Sequence, residues 1–449
     1  MNLIGLDIGT TSISGVLYST KKHEILKISF IDNEFLISGE GEYIQDPNLI
    51  LDKIENIINE LIDFSLDNIM AMSLSSQMHG ILYVDDKGDA VSPLYTWQNQ
   101  RGLKIIENEK LETYLSNILG YPVYTGYGIT THYSLLLENN ISKYANKFCT
   151  IGDYVCMKLS NSTVPLTDIT LAHSMGICDI KTGKRSKSLE KLGDACIKYI
   201  PEISTKIEKL GEYKTIAVIQ AIGDNQASFL GSVKNKDNSI LLNYGTSGQI
   251  SFFDKDYKNY LGYEIRPLGI NEGFINVAFS LCGGNSYKIL SSFFEEVVLT
   301  FSGNDNINSM KVMDNMDLDF SKKEINCMPF FLGQRGKESS NAYFTNITEA
   351  NFNSHNIVKS LVMGMAKELF TFYTNLPNSK IKKLKYLVGS GNGIRKNFHL
   401  QKAVESLYMK KLYLFELQEE SCLGSIIHAG KGIGFYKDYK EGSKDIVKY

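Results

Sequence analysis

The sequence lacks the features that mark secreted, membrane-spanning and nucleic-acid-binding proteins. Seven scattered cysteines without a C-x-x-C pair are typical of reduced thiols. No apolar run approaches the roughly 18 residues of a membrane span, and an apolar strand pattern that begins by Leu3 predicts no signal peptide. The formal net charge of −3 predicts no basic surface for nucleic acid or an anionic membrane. We therefore expect a cytoplasmic chain that binds neither nucleic acid nor a membrane.

A strand–turn–strand pattern stands at the start of the chain. The first apolar strand ends in Asp7, and the turn Gly9-Thr10-Thr11-Ser12 leads into a second apolar strand. Backbone N–H groups and hydroxyls in such a turn suit an anion, and Asp7 could hold a divalent cation against that anion. The turn contains no Lys and precedes no helix, which excludes a P-loop. Taken alone, the pattern also fits an ordinary tight turn.

The same pattern returns near the middle of the chain. An apolar strand at residues 240–243 leads to Gly245-Thr246-Ser247, and a second strand follows. Two hydroxyl-rich hairpins in 449 residues predict a duplicated α/β domain that clamps a nucleotide between its copies. We place the boundary near residue 232, with an N-terminal domain over 1–232 and a C-terminal domain over 233–449.

Asp224 is the sharpest single candidate for a catalytic residue. An apolar strand predicted over 216–222 ends at Gly223, and a helix begins after it. A carboxylate at this point can take a proton from a sugar hydroxyl that attacks a phosphate. Asp is also a common helix N-cap, which leaves a structural role open. The neighbouring Asn225 favours the first reading, because side-chain amides suit polyol hydroxyls.

Three further stretches offer binding groups, each with a structural alternative. A glycine-rich turn over 389–393 allows close approach of a flat ring or ribose, or forms a tight strand-to-helix turn. The trio Gln77-Met78-His79 follows a buried strand, where ligands gather in α/β sheets, but a lone His is often structural. Trp97 and Arg101 could line a sugar pocket, or be a partly buried Trp and a surface Arg. Ligand-spaced His and Cys clusters are absent from the sequence, so no tightly held transition metal is predicted.

The local patterns also predict helices near the candidate residues. We expect one helix from about residue 102 to Leu119, a mixed insertion of helices and short strands over 120–215, and a last helix that opens at Glu419.

Together and in order, these pieces resemble the FGGY family of carbohydrate kinases, within the actin, hexokinase and heat-shock ATPase superfamily. The resemblance is to the xylulokinase and sedoheptulokinase branch in particular, and it spans nearly the whole chain. It rests on Gly5-x-Asp7-x-Gly9-Thr10-Thr11-Ser12, Gln77-Met78-His79-Gly80, Trp97-x-x-x-Arg101, Gly223-Asp224-Asn225, Gly245-Thr246-Ser247, Phe331-Leu332-Gly333-Gln334-Arg335, Gly389-Ser390-Gly391-Asn392 and Glu420-Ser421-Cys422-Leu423-Gly424.

The resemblance implies an α/β fold of two ribonuclease-H-like (actin-like ATPase) domains that flank a catalytic cleft. The N-terminal domain is then sugar-binding and the C-terminal domain nucleotide-binding. ATP and Mg²⁺ are the implied cofactors, with Asp7 at the metal and Asp224 as the general base. The implied substrate-binding residues are Gln77, Met78, His79, Trp97, Arg101 and Asn225. The implied ATP-binding residues are Gly9, Thr10, Thr11, Gly245, Thr246, Ser247, Gly389, Ser390, Gly391 and Asn392.

The resemblance implies phosphorylation of the terminal hydroxyl of a ketose, with sedoheptulose as our first expectation. Xylulose or gluconate is the alternative substrate, and an actin- or chaperone-like ATP switch is the alternative class. The chain departs from the family pattern at Asn99, where Asp is usual, and at Gly333-Gln334-Arg335-Gly336, where Gly-Glu-Arg followed by Pro is common. The chain is also short for the family, which leaves a homodimer open.

Overall fold

A computed structural model of the chain describes residues 1–36, 39–320, 325–334, 340–415 and 419–448. Its contacts divide the chain into two units. The first contains Met1–Lys234, Arg266–Phe274 and the described C-terminal residues from 419 to 448, and the second contains Asn235–Ile265 and the described residues of 275–415. The C-terminal residues therefore belong with the N-terminal unit. The expected Arg335 lies outside the described residues.

The first unit opens with a meander of strands, one amphipathic helix and a buried strand. Asp46 caps that helix, α1, by accepting hydrogen bonds from the backbone N–H groups of Asn48 and Leu49, and Pro47 follows at a position where no N–H is needed. The elements to residue 110 are β1 (Asn2–Ile8), β2 (Ser12–Ser19), β3 (Glu24–Asp32), β4 (Ile44–Gln45), α1 (Pro47–Phe64), β5 (Ile69–Ser76), β6 (Leu82–Val84), β7 (Leu94–Tyr95), β8 (Ile105–Ile106) and β9 (Glu109–Lys110).

The predicted mixed insertion is confirmed, and it returns the chain to the first sheet at β15. The elements from residue 111 to residue 232, which include this insertion, are α2 (Leu111–Leu119), α3 (Gly128–Leu137), β10 (Lys147–Cys149), α4 (Ile151–Leu159), β11 (Leu166–Thr167), α5 (Ile169–Ser174), β12 (Cys178–Asp179), β13 (Lys184–Arg185), α6 (Asp194–Ile197), β14 (Glu202–Ile203), β15 (Lys209–Tyr213), β16 (Ile216–Ile219), β17 (Ile222–Gly223) and α7 (Asp224–Ser232).

The remaining elements build the second sheet and then the C-terminal helices of the first unit. They are β18 (Ser239–Tyr244), β19 (Gly248–Asp254), β20 (Glu264–Pro267), β21 (Phe274–Ser280), α8 (Gly284–Ser302), α9 (Ser309–Asp314), β22 (Asn326–Met328), β23 (Tyr343–Thr345), α10 (Ser354–Thr374), α11 (Asn378–Ile381), β24 (Tyr386–Ser390), α12 (Asn392–Lys396), α13 (Phe398–Tyr408), β25 (Leu412–Leu414), α14 (Glu420–Gly432) and α15 (Tyr439–Ile446).

Two sheets with matching strand order carry the fold. In the first, the order is β15-β16-β5-β1-β2-β3, with β17 also paired to β5. In the second, it is β20-β21-β19-β18-β24-β25. Each sheet contains an antiparallel hairpin, β1–β2 or β18–β19, whose first strand pairs in parallel with a later strand, β5 or β24. The predicted duplication of an α/β unit is therefore confirmed.

Apolar burial explains why these strands form. Leu3, Ile4, Leu6 and Ile8 in β1 are all fully buried, as expected for a strand covered on both faces. The seven cysteines are all buried and free, which agrees with the predicted role of most of them as core residues. Among the described residues, no helix is long and apolar enough to cross a membrane.

Two helix predictions and one strand prediction need correction. Residues 102–110 form a short 3₁₀ turn, Arg101–Leu103, and the hairpin β8–β9 rather than the start of one helix, because Glu107 and Asn108 both adopt positive φ. The apolar run 216–222 is broken at Gln220 into β16 and β17. The helix that opens near residue 419 is not the last one. The chain turns at Gly434, with φ of 75°, and Asp438 caps the further helix α15.

Candidate active site

Three neighbouring strands of the first sheet end together and bring two carboxylates to one edge. In the parallel pairing of β1 with β5, Asp7 lies opposite Ser75. In the pairing of β17 with β5, Ile222 and Gly223 lie opposite Ser75 and Ser76, and Asp224 is the next residue. Because carboxyl ends of parallel strands meet at one sheet edge, this is where an α/β sheet collects ligands.

Asp7 is a carboxylate in a largely desolvated position. The Ser75 hydroxyl donates a hydrogen bond to Asp7 Oδ1. The pKa of Asp7 is raised to about 7, mainly by burial and in smaller part by the charges of Asp224, Glu419 and Glu420, while the Ser75 hydrogen bond opposes the rise. A nearby cation would lower this pKa again, since an opposite charge favours the ionised form. Asp7 is therefore suited to a site that also receives positive charge.

Asp224 begins α7 but does not cap it. The N-cap is Gly223, so the Asp224 side chain does not have the capping role that the sequence left open. Burial raises the pKa of Asp224 from 3.8 to about 6, partly offset by the Arg266 charge and by a hydrogen bond from the Asn225 N–H. A carboxylate with this pKa is ionised at neutral pH, yet basic enough to accept a proton in a reaction.

The predicted trio after β5 splits into two buried residues and one accessible residue. Gln77 and Met78 are buried, while His79 is partly exposed. His79 adopts a positive φ of 74°, and its Nδ1 lies 2.7 Å from the Ser174 carbonyl oxygen. Because a carbonyl only accepts, Nδ1 carries the proton in this contact. The imidazole stacks on Tyr127 with a ring separation of 4.5 Å.

A hydrogen-bond network joins the N-terminal turn to the trio. Trp97, which is 46% exposed, donates from Nε1 to Thr10 Oγ1 at 3.0 Å. Gln45 Nε2 donates to the Thr10 carbonyl oxygen at 2.8 Å, and Gln45 Oε1 accepts from Gln77 Nε2 at 2.8 Å. The network therefore connects Thr10, which the resemblance assigns to ATP, with Gln77 and Trp97, which it assigns to the sugar. Gln45 itself was missed, because no motif marks a lone glutamine.

Arg101 is held by two carboxylates on other segments of the first unit. Its guanidinium lies 3.1 Å from Glu42 Oε1 and 2.7 Å from Glu138 Oε2, and Arg101 is 9% exposed. The surface-arginine alternative is therefore wrong. Asn99 is fully buried, donates to the Glu42 carbonyl oxygen and accepts from the Arg101 N–H. Arg101 therefore has two carboxylate partners although position 99 carries no charge.

The second unit contains a cavity of about 510 Å³ beside the second hairpin, a volume within the range of small-molecule sites. Three predicted nucleotide residues, Gly245, Thr246 and Asn392, line it. The predicted Ser247 closes the turn, since its carbonyl accepts from the Gly245 N–H at 3.0 Å. Several lining residues carry no signal in the sequence, because they lie on helices away from any motif: Asn285, Tyr287, Lys288, Asp314 and Lys396.

The glycine-rich turn after β24 also borders this cavity, through Asn392. Gly389 and Ser390 are buried at the end of β24. Gly391 has a φ of 85°, and a Cβ there would lie 2.6 Å from the Tyr244 carbonyl oxygen. Both facts require glycine, so the turn that leads to Asn392 depends on this residue type.

The carboxylates fit Mg²⁺ better than a metal held by protein ligands alone. Among the described residues, no group of three or more His, Cys, Asp or Glu side chains could hold a metal ion. Mg²⁺ is usually bound by one or two carboxylates, with water and phosphate oxygens completing its shell. Asp7 at the strand end matches that donor set.

Comparison with known proteins agrees with this geometry. Residues 2–231 match the model for the N-terminal domain of the FGGY family of carbohydrate kinases. The sedoheptulokinase of Mus musculus is 23% identical over 90% of this chain and 92% of its own length. The xylulose kinase of Lactococcus lactis is 20% identical over 100% of this chain and 91% of its own length.

Solved structures show the same fold. The gluconate kinase of Lactobacillus acidophilus superimposes with a TM-score of 0.83 at 20% identity, over 100% of this chain and 92% of its own. The xylulose kinase of Rhodospirillum rubrum gives a TM-score of 0.84 at 16% identity, over 100% of this chain and 93% of its own. The predicted actin-like ATPase fold is confirmed. With the family model matched over the whole first half, the chain belongs to the FGGY family of carbohydrate kinases and is an ATP-dependent sugar kinase.

Proposed function

We propose that this kinase phosphorylates the terminal hydroxyl of a ketose, with sedoheptulose as the first candidate substrate. Asp224 carries the proposal. Its carboxylate begins a helix at the strand-end edge, beside a desolvated Asp7, and its pKa is raised to about 6. A general base near this pKa is ionised at neutral pH and can accept the proton of an attacking hydroxyl.

In the proposed reaction, Asp224 accepts the proton of the sugar hydroxyl while the hydroxyl oxygen bonds to the γ-phosphorus of ATP. The bond from that phosphorus to the β,γ-bridging oxygen breaks, and ADP leaves with the electron pair. Asp7 would hold Mg²⁺, which neutralises phosphate charge when bound. Asp224 returns its proton to solvent after the product leaves.

We assign the sugar pocket to residues of the first unit. Gln77, Met78, His79, Trp97 and Asn225 offer amides, a thioether, an imidazole and an indole face, which suit hydroxyls and sugar C–H groups. Arg101 supports this pocket through its loop, because its guanidinium is engaged by Glu42 and Glu138. Residues 1–232 are then the proposed sugar-binding domain.

We assign the ATP phosphates to Gly9, Thr10 and Thr11 in the first hairpin and to Gly245, Thr246 and Ser247 in the second. Gly389, Ser390, Gly391 and Asn392 would pack on the adenosine. The 510 Å³ cavity that Gly245, Thr246 and Asn392 line supports this assignment, as does the need for glycine at position 391. The second unit, Asn235–Ile265 with the described residues of 275–415, is then the proposed nucleotide-binding domain, which is narrower than the predicted range 233–449.

Xylulose and gluconate remain alternative substrates, because relatives of similar identity carry the names of kinases for each. Family membership favours a kinase over a nucleotide switch. A panel of sedoheptulose, xylulose, gluconate and glycerol, assayed by coupled ADP release, tests the choice. We expect the highest kcat/KM with sedoheptulose, and a higher value with xylulose would refute the first candidate.

We further propose a cytoplasmic location, which the seven buried, free cysteines support. The homodimer left open by the sequence stays a prediction that sedimentation analysis can test.

A further inference from the structure

A buried hydrogen-bond chain inside the first unit ends at the backbone next to Asp224. Asp168, the N-cap of α5, accepts at Oδ1 from the Thr170 N–H at 2.8 Å and from the Thr170 hydroxyl at 2.6 Å. The Thr170 hydroxyl oxygen accepts from the Gly223 N–H at 2.9 Å. Asp168 and Thr170 are 1% and 0% exposed. The chain therefore links the start of α5 to the residue that caps α7.

The directions of these hydrogen bonds are fixed. The Gly223 N–H can only donate, so the Thr170 oxygen accepts and its single proton goes to Asp168. A separation of 2.6 Å is typical of a hydroxyl that donates to a carboxylate. The negative charge polarises the hydroxyl and strengthens its bond to Gly223. Gln220 Nε2 donates to the other Asp168 oxygen at 2.9 Å, which holds the carboxylate in this orientation.

Gly223 is confined on its other side as well. A Cβ on Gly223 would lie 3.0 Å from the Met78 sulfur and 2.6 Å from Gln226 Oε1. The peptide that leads into Asp224 therefore packs between the Thr170 hydroxyl and two side chains, with little room to shift. Loss of the Thr170 contact leaves a buried N–H without its acceptor, which favours a displaced backbone.

Helix capping alone does not explain this arrangement. The cap of α5 requires only the hydrogen bond from the Thr170 N–H to Asp168. The bond from Gly223 to the Thr170 hydroxyl lies outside α5 and reaches a different element. We propose that Thr170, oriented by Asp168, is a positioning residue that holds Gly223 so that the Asp224 carboxylate stays aligned with the sugar hydroxyl. This inference rests on the proposed role of Asp224 as the general base.

The test compares Thr170→Val, which removes the hydroxyl at nearly constant shape, with Thr170→Ser, which keeps it. We expect Thr170→Val to lower kcat about 10- to 100-fold, because a misplaced catalytic group costs rate on this scale. The KM for ATP should stay within about twofold, and Thr170→Ser should restore kcat to within about threefold of the wild type. Rates are measured on the full chain below its unfolding midpoint, with the folded fraction checked by circular dichroism.

A double-mutant cycle with Asp224→Asn separates positioning from general damage. If Thr170 acts through Asp224, Thr170→Val should lower the residual rate of Asp224→Asn by less than about twofold. A further tenfold loss in that background would overturn the proposal, as would a Thr170→Val kcat within twofold of the wild type. Near-wild-type turnover by Asp224→Asn alone would instead refute the proposed base, so the two failures are distinguishable.

Two further variants complete the experiment. Thr130→Val is the matched control, because Thr130 is fully buried and its hydroxyl has no hydrogen-bond partner among the described residues. Its kcat should equal that of the wild type. If Thr170→Val does not fold, Asp168→Asn replaces it, since Asn also caps helices but brings no charge to the Thr170 hydroxyl. A kcat of Asp168→Asn within twofold of the wild type would refute the proposal.

Discussion

The substitution Asp224→Asn should slow catalysis and stabilise the fold at the same time. Loss of a general base lowers kcat by about 10²–10⁴. Burial raises the pKa of Asp224 from 3.8 to about 6, so the ionised carboxylate destabilises the folded state at high pH. At about 1.4 kcal/mol per unit of pKa difference, this amounts to at most about 3 kcal/mol. The neutral Asn side chain avoids that loss.

The sign of the pH dependence follows from proton linkage. Between the unfolded pKa of 3.8 and the folded pKa of about 6, the folded chain binds more protons at Asp224 than the unfolded chain. Wild-type stability from this group therefore falls as pH rises through that window. The advantage of Asp224→Asn should be largest near pH 8, drop to about half near pH 5 and vanish below about pH 4.

Urea unfolding of both proteins at pH 8 and pH 5 measures the difference in stability, and a coupled ADP-release assay measures kcat. Asp89→Asn is the control. Asp89 is exposed, and its ion pair with Lys158 lowers its pKa rather than raising it. It is no part of the candidate site, so turnover should not change. A stability gain that is equal at both pH values would refute the desolvation argument. Turnover of Asp224→Asn within twofold of the wild type would refute the base.

Three shorter predictions concern the pH profile and two glycines. The kcat/KM for sugar should rise with pH through about 6 and then level off, since Asp224 must be ionised; a flat profile from pH 5 to 8 would contradict this. A Cβ on Gly245 meets nothing within 4 Å, so Gly245→Ala should keep its melting temperature while the KM for ATP rises about tenfold as phosphates are excluded; Gly39→Ala, also uncrowded, is the control. A Cβ on Gly424 would lie 1.9 Å from the Ala227 carbonyl oxygen, so Gly424→Ala should destabilise the fold by more than about 3 kcal/mol in urea unfolding.

Much of the fold was predictable because its signals are local. The β1–β2 and β18–β19 hairpins each show apolar strands around a Gly-Thr turn, and α10 shows a clear apolar stripe. The helix α15 was missed because its sequence is mostly polar. Its start depends on the Asp438 cap and the turn at Gly434, which are weak signals in sequence.

The candidate site was predictable only where a motif stands at a strand end. Asp7, Gln77 and Asp224 each follow an apolar strand, and their convergence follows from the parallel pairing of β1, β5 and β17. Gln45 and Tyr127 carry no such mark. Gln45 is held by hydrogen bonds to Thr10 and Gln77, and Tyr127 is placed by ring stacking on His79; neither contact is visible in the local sequence.

The sequence by itself determined the two hairpins, the family and the identity of the candidate base, because apolar periodicity and motif order are properties of the linear chain. Only the tertiary structure decided three further points: that Gly223 rather than Asp224 caps α7, that Glu42 and Glu138 hold Arg101, and that the Thr170 hydroxyl reaches Gly223. The first depends on the backbone conformation at Gly223. The other two depend on contacts between residues far apart in sequence, which exist only once folding has brought the segments together.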